Sequence, residues 1–212
     1  MADTTTVTRR TLAKGAAWSV PILAVGSPAV AVTASCPCAQ LPTTASGWTT
    51  RVAQGSVDGT VGTGNSGYVT NWNSSPPLAS GFAFTSGLNN TSSTASAVVT
   101  TSATIQTCPR AKYTISSLTI GAGYGNNNST TSVGQSIMVD IGGTTIFGPR
   151  STRGTGALAI RSGQSYQTTG ATYSSDTRGT VTVTITFTLA PIAAGKAAGD
   201  DISIALPTIT CS

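Results

Sequence analysis

No histidine and no glutamate occur among the 212 residues, and only 8% of the residues are charged, against about 25% in a typical soluble domain. The first absence removes every Ser-His-Asp or Cys-His catalytic unit and every His-ligated zinc site. The second leaves six aspartates and the C-terminus as the only carboxylates. Asp58, Asp140 and Asp176 are spread along the chain, and nothing in the sequence pairs two of them as the acid and nucleophile of a glycosidase. Catalysis is therefore not expected. Aromatic residues reach only 6%, too few for the dense stacking patch that many sugar-binding faces use.

What replaces charge is hydroxyl. The sequence holds 39 Thr and 26 Ser, together with 24 Gly. Such a surface is polar without being chemically active.

The first 34 residues divide into a polar start, a basic pair with a following lysine (Arg9, Arg10, Lys14), and a charge-free apolar run over 15–34. This is the layout of a secretory signal. Trp18, Pro21, Gly26 and Pro28 make the run less apolar than a membrane-spanning helix. Residues 8–14 resemble the twin-arginine export motif, with Leu12 where phenylalanine is commoner, and the whole stretch is similar to the leaders of secreted actinobacterial proteins. Small residues permit cleavage after Ala31 or after Ala34, and the second is favoured. An uncleaved leader acting as a membrane anchor is the alternative. The expected organisation is a signal peptide over 1–34 and a single domain over 35–212, secreted or held at the cell surface.

Without the leader the charge falls from +5 to +3, because three of eleven basic residues and one of six acids lie in it. The remaining cations are scattered, so no nucleic-acid partner is expected. Arg150, Arg153 and Arg161 come closest to a cluster and read as the decoration of a loop.

Four cysteines follow the leader: Cys36, Cys38, Cys108 and Cys211. An even number in an exported chain reads as disulfides, with a four-thiolate zinc site as the weaker alternative. A bridge between Cys36 and Cys38 would span a single proline under strain, so one is expected to pair with Cys108 and the other with Cys211.

The rest reads as strands. Residues 94–108 place Ala95, Ala97, Val99, Thr101, Ala103 and Ile105 on one face with period two. Residues 180–189 alternate without a fault, with Val181, Val183, Ile185, Phe187 and Leu189 inward and threonines outward. Gly142-Gly143 separates two strand-like runs and predicts a tight hairpin, since both positions of such a turn need positive φ. Residues 202–206 read as the last strand, and weaker candidates lie at 48–53, 67–72 and 81–84. Many short strands with turn punctuation predict an all-β, antiparallel β-sandwich.

Residues 111–206 resemble the second half of the galactose-binding-like jelly rolls found in carbohydrate-binding modules and bacterial surface proteins. The quoted segments are SSLTIGAGY, SIMVDIGGTTIF, GTVTVTITFTLA and the closing Gly-Asp-Asp-Ile-Ser-Ile. The resemblance implies a jelly-roll-like sandwich. It also implies a calcium site to which Asp200 and Asp201 contribute, against the plainer expectation of a solvated loop; two adjacent carboxylates alone do not supply the ligands calcium needs. No other cofactor is expected.

Among other candidates, Gly62 to Gly67 matches GxGxxG but has neither the strand before nor the helix after it that phosphate binding requires, and reads as a turn. Tyr68 and Trp72 are the aromatics best placed to meet a ligand; Trp48, Tyr124, Tyr166 and Tyr173 read as core or rim. The threonine row over 180–188 resembles one strand of an ice-binding face, although such a face needs several aligned strands. The expected function is that of an exported, non-catalytic structural or adhesive protein of the cell surface or extracellular space, self-associating through strand edges. The alternative is a carbohydrate-binding module for wall or environmental glycans.

Overall fold

Alternation on the scale seen over 180–189 has one physical outcome, a strand with one face dry and one wet. The computed structural model describes residues 36–62, 66–69, 83–115, 118–123, 132–160, 165–166, 171–196, 198–205 and 208–212. Contacts divide the chain after Cys36, and residues 37–212 form a unit that holds every described strand.

A five-stranded antiparallel sheet runs in the order β1 (Thr49–Gln54), β4 (Ala97–Thr107), β12 (Gly179–Leu189), β8 (Gln135–Ile141), β9 (Thr144–Ser151). Its centre is the pairing of β4 with β12, unbroken from Gly179 opposite Thr107 to Leu189 opposite Ala97. A second five-stranded sheet has the order β10 (Ser165–Tyr166), β6 (Ile120–Gly123), β14 (Asp201–Ala205), β3 (Ala83–Ser86), β2 (Ser66–Val69). A third consists of β11 (Ala171–Ser175), β5 (Ala111–Ile115) and β15 (Ile209–Cys211). Two short segments, β7 (Ser132–Val133) and β13 (Ala198–Gly199), pair in parallel.

The architecture is an all-β, antiparallel sandwich. Val183, Ile185, Phe187 and Leu189 of β12 pack in one apolar cluster with Val99 and Ile105 of β4, Ile137, Val139 and Ile141 of β8, and Ile120, Ile202, Ile204, Tyr113, Ile115 and Ile209 from the other sheets. Burying one such side chain contributes about 1.5–3 kcal/mol. The predicted inward set holds from Ala97 to Ile105, including Thr101, which is fully buried with its hydroxyl 2.9 Å from that of Thr50 on β1; Ala95, expected on the same face, lies before β4 and is exposed.

The predicted hairpin joins β8 to β9, with Gly142 at φ +58° and Gly143 at φ +80°. One expectation is corrected. Residues 202–206 do not hold the last strand, because Ile209–Cys211 follows as β15, pairing Ile209 with Ile115 and burying its side chain. Three residues are too few to show a period, so this strand exists through its partner.

Cys38 is bonded to Cys211, 173 positions away. Cys36 and Cys108 are disulfide-bonded as well, with the Cys108 sulfur 3.8 Å from the Pro37 carbonyl oxygen. No described cysteine is free, as the exclusion of a Cys36 to Cys38 bridge requires. Such bonds indicate an oxidising environment.

Candidate functional site

Two adjoining features gather polar chemistry on the unit. The first is built by the parallel pair of β7 and β13, which delivers Asp200 directly beneath the end of β9. The Asp200 amide donates to the Val133 carbonyl at 2.8 Å, and its carboxylate Oδ1 accepts the Ser132 hydroxyl at 2.6 Å. Arg153, two residues past the end of β9, meets the same carboxylate side-on: Nε lies 3.0 Å from Oδ2 and Nη2 3.2 Å from Oδ1. Nη2 also donates to the Ser132 hydroxyl. Asp200 is wholly buried, whereas the Arg153 side chain is 26% exposed.

This overturns two expectations. Asp200 is buried and not solvated, and Arg153, although it lies in the turn after β9 as expected, is paired with that buried carboxylate. The positive charge that a calcium ion would supply to Asp200 comes from a guanidinium. Among the described residues no three His, Cys, Asp or Glu side chains gather as a metal cage.

Asp201, the first residue of β14, is half-buried. Burial first, and the neighbouring Asp200 carboxylate second, push its pKa from the ordinary 3.8 up to about 7. Around this end several further polar groups are tied down, although the buried Gln135 Oε1 has no hydrogen-bond partner. Gln135 donates its amide to the Leu88 carbonyl at 3.0 Å, Asn89 accepts the Gly199 amide at 2.6 Å, and Asp58 accepts the backbone and side-chain N–H groups of Asn89 at 2.8 and 2.7 Å. Asp140 accepts the Thr145 hydroxyl at 2.7 Å. Asp58, in the loop after β1, and Asp140, on β8, thus serve as separate hydrogen-bond anchors.

The second feature is an open groove of about 470 Å³ on the outer side of Arg153, between the end of β9 and the loop that follows it. Its shape begins with a bulge. Phe147 pairs with Val139 but Arg150 pairs with Ile137, so β9 carries an extra residue at Gly148-Pro149. Gly148 sits at φ +86°, and a Cβ there would lie 2.5 Å from the Ile137 carbonyl oxygen. Past the bulge, the Arg150 guanidinium lies over the Phe147 ring at 5.2 Å.

The loop then folds back on the strand. The Ile160 and Gly154 amides both donate to the Ser151 carbonyl, at 2.7 and 3.1 Å, and Ser151 forms a parallel bridge with Ala159. Ile160 is fully buried and anchors the loop, while Leu158 stays 61% exposed.

The other sequence candidates fall elsewhere. Trp48 is a core residue whose indole N–H donates to the Pro42 carbonyl at 2.9 Å, and Tyr173 packs against buried Tyr113, ring centroids 6.2 Å apart. Arg9, Arg10, Lys14, Trp72, Tyr124 and Arg161 lie outside the described residues, as do the side chains of Tyr68 and Tyr166. The groove was not foreseen. Its one local signal was Gly148-Pro149 inside an apolar run, a pair that marks a bulge or an edge strand.

No protein-family model matches the chain, and no curated protein is significantly similar to it.

Proposed function

We propose that the chain is an exported, non-catalytic structural or adhesive protein of the cell surface or extracellular space. The observation that carries this reading is the covalent closure of a hydroxyl-covered sandwich. Cys38 and Cys211, near the two ends of the described strands, are joined, and the outer row Thr180, Thr182, Thr184, Thr186 and Thr188 offers hydroxyls to solvent on the longest strand pair. A body of this kind resists unfolding outside the cell and carries little charge to limit close packing. Self-association fits the edge position of β1, which among the described residues pairs only with β4. An unpaired edge is a template for another strand.

Electron microscopy of the secreted and wall-associated fractions tests the reading. Filaments, layers or wall-bound particles are expected. Reduced protein confined to the cell interior would overturn it.

A second reading, glycan binding, is favoured by the groove beside Arg150, which presents hydroxyls, a cation and an apolar wall together. A glycan array read with and without chelator separates sugar recognition from pure assembly and also reports any calcium dependence.

A further inference from the structure

We propose that the groove between β9 and its following loop binds the carboxylate-bearing sugar of an acidic glycan, with Arg150 as the residue that holds the carboxylate. This rests on the adhesive reading and names what the surface adheres to.

Charge supplies the first argument. Among the described residues no carboxylate lies within ion-pair distance of Arg150, whereas Arg153 behind it is matched to Asp200. The Arg150 guanidinium lies over the Phe147 ring, 5.2 Å from its centroid, a cation–π contact that holds the charge at the groove without using up its N–H donors. A planar fork of this kind recognises a carboxylate through two parallel hydrogen bonds.

The lining supplies the second. Ser136, Ser151 and Thr155 line the groove with Arg150, the Ser151 hydroxyl also accepting the Arg153 amide at 3.2 Å, and Pro149 and Leu158 add apolar lining. Hydroxyls that both donate and accept match the hydroxyls of a sugar ring, and Pro149 and Leu158 match its C–H face. Leu158 is the large apolar side chain left exposed among the described residues. At about 470 Å³ the groove lies in the ordinary range for small-ligand sites, about 300–1,000 Å³.

The third argument distinguishes a glycan from a peptide. An extended peptide would add to the free edge of β9, but at Ser151 that edge is already taken by the amides of Gly154 and Ile160 and by the bridge to Ala159. Beside Ser151, what remains open is the side-chain groove and not the backbone ladder.

Calorimetric titration of the intact, oxidised protein with tetragalacturonate tests the proposal, with galactotetraose as the neutral control and poly(glycerol phosphate) as the phosphate control. The expected result is saturable binding of the uronate at least tenfold tighter than of either control. Arg150→Gln should weaken it at least tenfold. Thr155→Asp, on an exposed position where folding is not at stake, should weaken it to a similar degree by adding a negative charge at the rim.

Equal affinity for galactotetraose, or uronate binding unchanged in both variants, overturns the proposal. So does Arg150-dependent binding of the phosphate polymer without binding of the uronate. These failures differ from failure of the adhesive reading, because a wall-bound particle that ignores uronate refutes only the groove, whereas an intracellular, reduced protein refutes the adhesive reading whatever the groove binds.

Discussion

Arg153 and Asp200 face each other as a side-on pair, Nε 3.0 Å from Oδ2, although 47 positions separate them in the chain. The carboxylate is wholly buried and the guanidinium is not. The two ends of the pair are therefore unequal. Arg153→Met leaves a negative charge with no access to water and should cost about 3–5 kcal/mol, the usual result of stripping the partner from a buried ion. Asp200→Asn should cost less, because Arg153 can turn toward solvent. Chemical denaturation of both single variants and the double variant measures the difference, and a double variant more stable than Arg153→Met alone is expected.

Asp201 sets a pH dependence. In the folded chain its pKa is raised from 3.8 to about 7 by burial and by Asp200, so the folded state holds a proton that the unfolded state has already released. The favourable contribution is complete below about pH 4 and is lost as the pH rises through about 7. Wild-type stability should decline across that window, and Asp201→Asn should flatten the decline and be the more stable form at pH 8. Denaturation midpoints at half-unit pH intervals would show it. A wild-type curve that rises from pH 4 to pH 7, with no difference in Asp201→Asn, would count against this assignment.

The Cys38 to Cys211 bond closes a loop with a sequence separation of 173, which in the chain-entropy picture destabilises the unfolded state by about 5 kcal/mol. Cys38→Ser with Cys211→Ser should therefore lower stability by about 2–5 kcal/mol. The comparison is between thermal midpoints of the variant and of wild-type protein in the absence of reductant. Adding reductant should move wild type at least as far.

At the β8 to β9 hairpin the two glycines should respond differently. A Cβ on Gly142 would lie 2.7 Å from Val181 Cγ2 and 2.9 Å from Tyr173 Cε2 at φ +58°, whereas one on Gly143 would meet nothing within 4 Å. Gly142→Ala should cost about 1–3 kcal/mol through backbone strain and crowding. Gly143→Asn should be near neutral, since asparagine tolerates this conformation. Equal losses in urea titrations of the two variants would contradict the contact geometry.

Where the fold depends on neighbours within one strand, the sequence was readable. The alternation of Val181, Val183, Ile185, Phe187 and Leu189 against threonines is a local property, and so is the glycine pair that ends β8. Where the structure depends on partners far along the chain, it was not. β15 is three residues long and owes its existence to β5. Arg153 carries no local sign that it will meet Asp200, because that meeting depends on the pairing of β7 with β13. Trp48, read as core or rim, lies in the core, and its indole N–H reaches the Pro42 carbonyl six positions back in the chain. Arg150 became visible as a site only once the bulge at Gly148 set its position over Phe147.

The disulfide between Cys38 and Cys211 has a mechanical meaning as well as a thermodynamic one. A pull on the chain from outside these two residues is carried through sulfur, and the strands between them form a slack loop that bears no load. A chain held in this way can be stretched without its sheets being peeled apart. Reduction, and not force alone, would be the event that lets the sandwich unravel.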